Sequence, residues 1–108
     1  MLSQKEIECI RACNECAAAC LACATSCLKG DDLKMMAGCI ALDLECADIC
    51  SLAAASIARK DKHMKAICAL CADVCQACGA ECAKHAMDHC KHCADTCKRC
   101  VEVCRAMA

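Results

Sequence analysis

Along most of the chain a small apolar residue recurs every three or four positions, with charged and polar residues filling the positions between. In the first segment the recurring residues are Cys9, Cys13, Cys16, Cys20, Cys23 and Cys27. Cys68, Cys71, Cys75, Cys78 and Cys82 repeat the pattern in a third segment, and Cys90, Cys93, Cys97, Cys100 and Cys104 repeat it in a fourth. A 4-3 alternation averages 3.5 residues, the heptad period that keeps one stripe of a helix facing its partners. The second segment holds the same phase at Met36, Cys39, Asp43, Cys46, Cys50, Ala53 and Ile57, so its later half is ordinary apolar core. No segment shows the period-2 alternation of a strand. The pattern predicts four helices that bury one seam each.

Ser3 with Glu6 has the form of a capping box, so helix 1 is expected from about Gln4 to Leu28 or Lys29, with Gly30 as a left-handed stop. Asp31 or Asp32 is then expected to cap helix 2, which runs to about Ala58, with Arg59 and Lys60 complementing its negative end. Asp61 is expected to cap helix 3, ending near Lys84 or His85, and Asp88 to cap helix 4, ending near Met107. Such short connections force antiparallel neighbours. The expected fold is all-α: one domain over residues 1–108, an antiparallel up-down-up-down four-helix bundle with a Cys-lined core.

Composition sharpens this picture. Of 108 residues 19 are Cys, only 17 are Leu, Ile or Val, and none is aromatic, so cysteine must line the interior. Net charge is −1 with both signs interspersed, which excludes the basic face that nucleic acid or an anionic membrane requires. The most apolar run, from Ala17 to Leu28, is too short to span a bilayer. The first residues, Met1 to Glu6, lack the basic region and apolar run of a secretory signal, so a cytoplasmic location is expected. In a reducing compartment an odd number of thiols favours metal over disulfide.

Helical residues four apart have Cβ atoms about 5–6 Å apart, and a linear two-thiolate site needs sulfurs about 4.5 Å apart, twice a metal–sulfur bond close to zinc's ~2.3 Å. Eight C-x-x-x-C pairs meet that need: Cys9/Cys13, Cys16/Cys20, Cys23/Cys27, Cys46/Cys50, Cys71/Cys75, Cys78/Cys82, Cys93/Cys97 and Cys100/Cys104. Thiolates with no interleaved carboxylate or imidazole select Cu(I) or a similarly thiophilic ion. A monovalent ion bridged at one per thiolate leaves the core neutral, whereas divalent ions at that ratio do not. Protonated thiols are small hydrophobes, so the chain is expected to fold without metal.

These runs, together with Gly38-Cys39-Ile40-Ala41-Leu42-Asp43, Cys68-Ala69-Leu70-Cys71-Ala72-Asp73 and the His85-to-His92 junction, resemble the cytosolic copper storage proteins over essentially the whole chain. The resemblance implies many Cu(I) ions per chain, held mainly by cysteine, a storage role and a homotetramer.

Antiparallel order gathers Leu2, Ile57, Met64 and Met107 at one end, an apolar plug. Cys27, Met36, Cys39, Cys82, His85, His89 and Cys90 gather at the other, a graded set of soft ligands suited to passing an ion inward. His85 and His89 are candidate ligands or helix-end residues serving the dipole. His92 and His63 read as surface residues. Met36 is in phase to touch metal or to fill the seam. Asp43 falls where a thiol is due. Inward, it would accept thiol hydrogen bonds, pair with a mouth histidine or ligate weakly; rotated outward, it would bring Leu42 in. The outer faces carrying Ala18, Leu21, Ala22 and Thr25 on helix 1, and Ala37, Ala41, Leu44, Leu52 and Ala55 on helix 2, read as homo-oligomer contacts. Copper is thus the principal partner, with a copper chaperone or small-molecule copper donor as candidate source. The competing readings are a zinc or cadmium buffer and a redox protein. The six C-x-x-C pairs lack the βαβ setting of thioredoxin-like chemistry, so binding is favoured over catalysis.

Overall fold

The computed structural model describes residues 1–108 as four helices, α1 (Gln4–Leu28), α2 (Leu33–Arg59), α3 (Met64–Cys82) and α4 (Asp88–Met107). Each helix packs on two neighbours, in the cycle α1, α2, α3, α4, and the diagonal pairs meet only through side chains on the axis, Cys20 with Cys78 and Cys50 with Cys100, each at 4.0 Å. The result is an up-down-up-down bundle of 47 × 19 × 18 Å. No helix is long and apolar enough to cross a membrane.

The seam positions of all four helices are buried. Every cysteine is at most 3% exposed, and α2 buries Met36, Asp43, Ala53 and Ile57 in the same phase. Alanines fill the flanks of the column, among them Ala17, Ala47, Ala54 and Ala72, while Ile10, Ile40, Leu42 and Ile49 pack partly buried against it. Small side chains on the seam make the bundle narrow.

The start of α1 follows expectation: Ser3 Oγ accepts from the Glu6 backbone N–H at 3.1 Å and Glu6 Oε1 from that of Ser3 at 2.7 Å. Asp32 caps α2 by accepting from the Met35 N–H at 3.1 Å. The other boundaries differ from the sequence expectation. Gly30 is not left-handed, because α1 ends on Lys29 in a right-handed conformation whose N–H is already shared among the last carbonyls. The left-handed residue is Lys60, φ 52°, closing α2. Its Nζ lies 2.9 Å from the Met1 carbonyl oxygen and 3.4 Å from Glu6 Oε1, which ties the turn to the chain start. Asp61 does not cap α3: its carboxylate accepts from Ser56 Oγ (2.8 Å), Arg59 Nη2 (3.1 Å) and the His63 N–H (3.2 Å), so it organises the turn before the helix. α3 ends at Cys82, earlier than expected, because Lys84 and His85 bond only three residues back, to Glu81 and Cys82. Asp88 is the first helical residue of α4, where its charge suits the helix dipole without a capping bond.

Two glycines interrupt helices with different consequences. A Cβ at Gly79 would lie 3.0 Å from the Cβ of Cys97, so α3 and α4 approach there with no room for a side chain. At Gly38 the nearest atom to a Cβ is Glu81 Cδ at 3.9 Å, an ordinary contact. Alanine gains up to ~1 kcal/mol over glycine inside a helix, while overpacking costs about 1–3 kcal/mol. Gly38→Ala should therefore raise the thermal midpoint of the reduced protein and Gly79→Ala lower it, as followed by circular dichroism at 222 nm, a helix signal. A Gly79→Ala protein as stable as Gly38→Ala would refute the close contact.

Candidate metal centre

Heptad spacing on four antiparallel helices turns the thiols toward one axis, and their sulfurs form a continuous column. At the end holding Ile57, Cys9 meets Cys104 at 3.8 Å, and Cys104 meets Cys13 at 3.6 Å and Cys100 at 3.8 Å. Cys71 continues the column at 4.0 Å from Cys100 and 3.8 Å from Cys50. Cys75 then touches both Cys50 and Cys46 at 3.5 Å, and Cys46 leads on to Cys16 at 4.0 Å. Cys16 reaches Cys97 at 3.7 Å and Cys20 at 4.0 Å, and Cys20 reaches Cys93 at 3.6 Å and Cys78 at 4.0 Å. Several sets of four, including Cys13/Cys71/Cys100/Cys104 and Cys16/Cys46/Cys50/Cys75, have all their sulfurs within 4.8 Å of one another. All 19 thiols are free.

Four of the C-x-x-x-C pairs are in contact along their own helix: Cys16/Cys20 (4.0 Å), Cys46/Cys50 (3.8 Å), Cys71/Cys75 (3.9 Å) and Cys100/Cys104 (3.8 Å). Most sulfur contacts run between helices instead. Sequence spacing reveals pairs within a helix; the cross-helix pairs follow from register, which the heptads imply without specifying.

Asp43 faces inward and is fully buried, so Leu42 does not replace it. Its Oδ1 accepts from Cys78 and Cys93 at 3.2 Å and from Cys82 at 3.5 Å; its Oδ2 accepts from Cys39 at 3.7 Å. No histidine pairs with it. Burial pushes the Asp43 carboxyl up to about 8. Burial likewise pushes the Cys68 and Cys39 thiols up to about 12, and it raises Cys23, where the Asp43 carboxylate adds to the effect. Of the thiols that donate to Asp43, Cys39 is raised by its burial and Cys82 by its thiol neighbours Cys78 and Cys93, so these two stay protonated beside the carboxyl at neutral pH.

Beyond Asp43 lies the second end. Cys39 meets Cys82 at 3.5 Å and Cys23 meets Cys90 at 3.8 Å, with Cys27 in the same group of sulfurs. His89 turns Nδ1 onto Cys23 at 3.4 Å and Cys90 at 3.5 Å. His85 bonds elsewhere: its Nε2 lies 3.1 Å from Glu81 Oε2. Sequence reasoning overlooked Glu81, although its spacing of four from His85 was the available signal. Met36 is buried in the core, while His63 and His92 are exposed. At the opposite end Ile57 is fully buried, and Met64 and Met107 pack against the core.

The Asp43 shift sets a pH dependence. Between its ordinary value of 3.8 and about 8, the folded chain keeps a proton that the unfolded chain releases. Stability contributed by that proton is present at low pH and falls as pH rises through this window. Glu6 and Asp61, held below the ordinary carboxylate range by hydrogen bonds from Ser3 and Ser56, act only below it. The urea midpoint of the reduced protein should be higher at pH 5 than at pH 8, values inside that window, and Asp43→Asn should flatten the difference. An unchanged slope in the variant would assign the effect to other groups.

The chain matches the family model described as "Copper storage protein" over residues 2–108. The Cu(I)-bound copper storage protein BsCsp3 of Bacillus subtilis is 51% identical, with 97% of this chain and 99% of that one covered and a TM-score of 0.93. A cytosolic copper storage protein from Streptomyces lividans, in a structure loaded with five coppers, is 38% identical over 96% of this chain and 92% of that one, again at 0.93. A curated relative, the uncharacterized cysteine-rich protein YhjQ of Bacillus subtilis (strain 168), is 50% identical over 68 residues, a match spanning 63% of this chain and 56% of the relative. With its sulfur column, its bundle and the near full-length matches to the family model and to the two solved structures, the chain belongs to the copper storage protein family.

Proposed function

We propose that this chain is a high-capacity cytoplasmic store for Cu(I), held on thiolates lining the bundle and exchanged at the end that carries His89. The observation that carries the reading is the continuous column of sulfurs. A soft ion placed anywhere along it finds further thiols within one side-chain rotation, and contacts of 3.5–4.0 Å need only modest rotation to reach about 4.5 Å. Each ion displaces thiol protons and neutralises the thiolates it bridges, so loading removes the charge that would otherwise accumulate in the interior. All nineteen cysteines serve as ligands in this reading, with Asp43 and His89 added where oxygen and nitrogen interrupt the sulfur, and Met36 and His85 at the margin of the exchanging end. The Cu(I)-bound relative and the cytosolic relative loaded with copper support the choice of ion and compartment.

One observation favours a second reading, a zinc or cadmium buffer: sulfurs gather in groups of four within 4.8 Å of one another, and several of their edges, at 3.5–4.0 Å, match that of a tetrahedral site, about 3.8 Å for a ~2.3 Å bond. Each divalent ion bound by four thiolates would leave two negative charges buried, however, and repeating that along one column is costly. Anaerobic titration of reduced protein separates the two. Cu(I) uptake should approach about one ion per cysteine and release nearly one proton per thiol into weak buffer. Saturation at a few equivalents of zinc, with copper uptake no greater, would replace the copper reading.

Replacing His85 and His89 together with Ala should slow copper uptake several-fold and leave capacity nearly unchanged, because the column holds the load. Equal slowing on replacing Met64 and Met107 would show that ions cross at the other end.

Assembly follows from the outer faces of α1 and α2, where Leu21, Leu44 and Leu52 are exposed beside Ala18, Ala22, Ala37 and Ala41. We propose a homotetramer packed through these helices, with the histidine end accessible to a copper chaperone or small-molecule donor. Ala22→Glu with Leu44→Lys should yield smaller species by light scattering, with copper capacity per chain retained. A wild-type protein that is monomeric at micromolar concentration would refute the interface.

A further inference from the structure

An acidic residue in the last turn of a helix opposes the helix dipole, and Glu81 occupies that place in α3. Its two oxygens are divided between two partners: Oε1 lies 3.2 Å from Lys84 Nζ and Oε2 lies 3.1 Å from His85 Nε2. The Lys84 ammonium is largely exposed, and such pairs add little stability. The His85 side chain is only 10% exposed, so the imidazole is the shielded half of the arrangement. Room for the carboxyl comes from α2. A Cβ at Gly38 would sit 3.9 Å from Glu81 Cδ and 4.0 Å from its Oε2, so a side chain larger than Ala at 38 would displace it. The chain neighbours of these two residues, Cys39 and Cys82, join their sulfurs at 3.5 Å, so the carboxylate lies on the outer side of a sulfur contact of the mouth.

A carboxylate accepts hydrogen bonds and does not donate them, so the bond to Glu81 requires the proton on Nε2. A neutral imidazole with its proton there carries its lone pair on Nδ1. Histidines that ligate metals commonly give their second ring N–H to a carboxylate, which fixes tautomer and orientation and raises basicity. The neighbouring His89 already turns its own Nδ1 onto sulfurs.

We propose that Glu81 is a positioning residue for His85: by accepting from Nε2–H across the gap that Gly38 leaves, it holds the ring in the tautomer whose Nδ1 takes a soft ion at the mouth. The inference rests on the reading that ions cross at the histidine end. Glu81 itself touches no ion.

Long-range proton–nitrogen NMR of reduced, metal-free protein at about pH 8, where a free imidazole is neutral, reads the tautomer without any copper. His85 should show a single form with unprotonated Nδ1. Glu81→Ala should give mixed tautomers, and Glu81→Gln, whose amide oxygen still accepts, should keep one. In stopped-flow Cu(I) uptake, Glu81→Ala should slow loading by about tenfold, the order found on removing such a partner, with capacity unchanged. His85→Ala should match it, the double variant should be no slower than His85→Ala alone, and Glu81→Gln should stay near wild type. An unaltered tautomer in Glu81→Ala, or slowing that adds to that of His85→Ala, would overturn the proposal. If His85→Ala loads at the wild-type rate while replacing His85 and His89 together slows loading, ions cross at the histidine end without His85 and the proposal falls; if the double replacement is also without effect, the mouth assignment itself falls.

Discussion

A protonated thiol packs like a small apolar group, and an ionised thiol binds a soft cation. The bundle depends on that double character, because its axis is built from nineteen of them. A core of bulky aliphatics would hold four helices apart and offer no ligands; a core of charged ligands would repel itself. Sulfur contacts of 3.5–4.0 Å give a packed interior while the protons are in place. Small seam residues also explain a cross-section of only 19 × 18 Å and the tolerance for a chain without aromatics.

The column is not uniform along its length. From Cys9 to Cys20 its contacts are sulfur to sulfur, and at the Asp43 layer four thiols converge on one carboxyl. Past that layer nitrogen joins, through His89 on Cys23 and Cys90. Ile57 and Ala53 take seam positions at the far end of α2, which leaves Cys9 and Cys68 with fewer thiol neighbours there. The polar atoms that join the sulfurs along the axis therefore change toward the histidine end, first oxygen at Asp43 and then nitrogen at His89.

Much of this was legible in the sequence, for reasons tied to particular residues. Heptad phase identified every seam position, including Asp43, because a period is a statement about direction from the helix axis and survives small errors in helix ends. Helix ends were read less well. Asp61 and Asp88 have the chemistry of caps, but what a carboxylate caps depends on which N–H groups come within reach, and Ser56, Arg59 and His63 captured Asp61 first. Gly30 was assigned a left-handed conformation that Lys60 adopts instead, since the turn after α2 is anchored by tertiary contacts to Met1 and Glu6. The histidines were located at the correct end, yet the different partners of His85 and His89 depend on side-chain direction, which spacing alone does not encode.

Where Gly79 lets α3 lie against Cys97, those two helices have no slack at that level. Sulfurs that spread to span an ion must take their room from side-chain rotation or from displacement of α1 and α2. The bundle is in this sense pinched at one level: beside Gly79 the α3–α4 contact is fixed, and any swelling of a filled column there is directed toward α1 and α2.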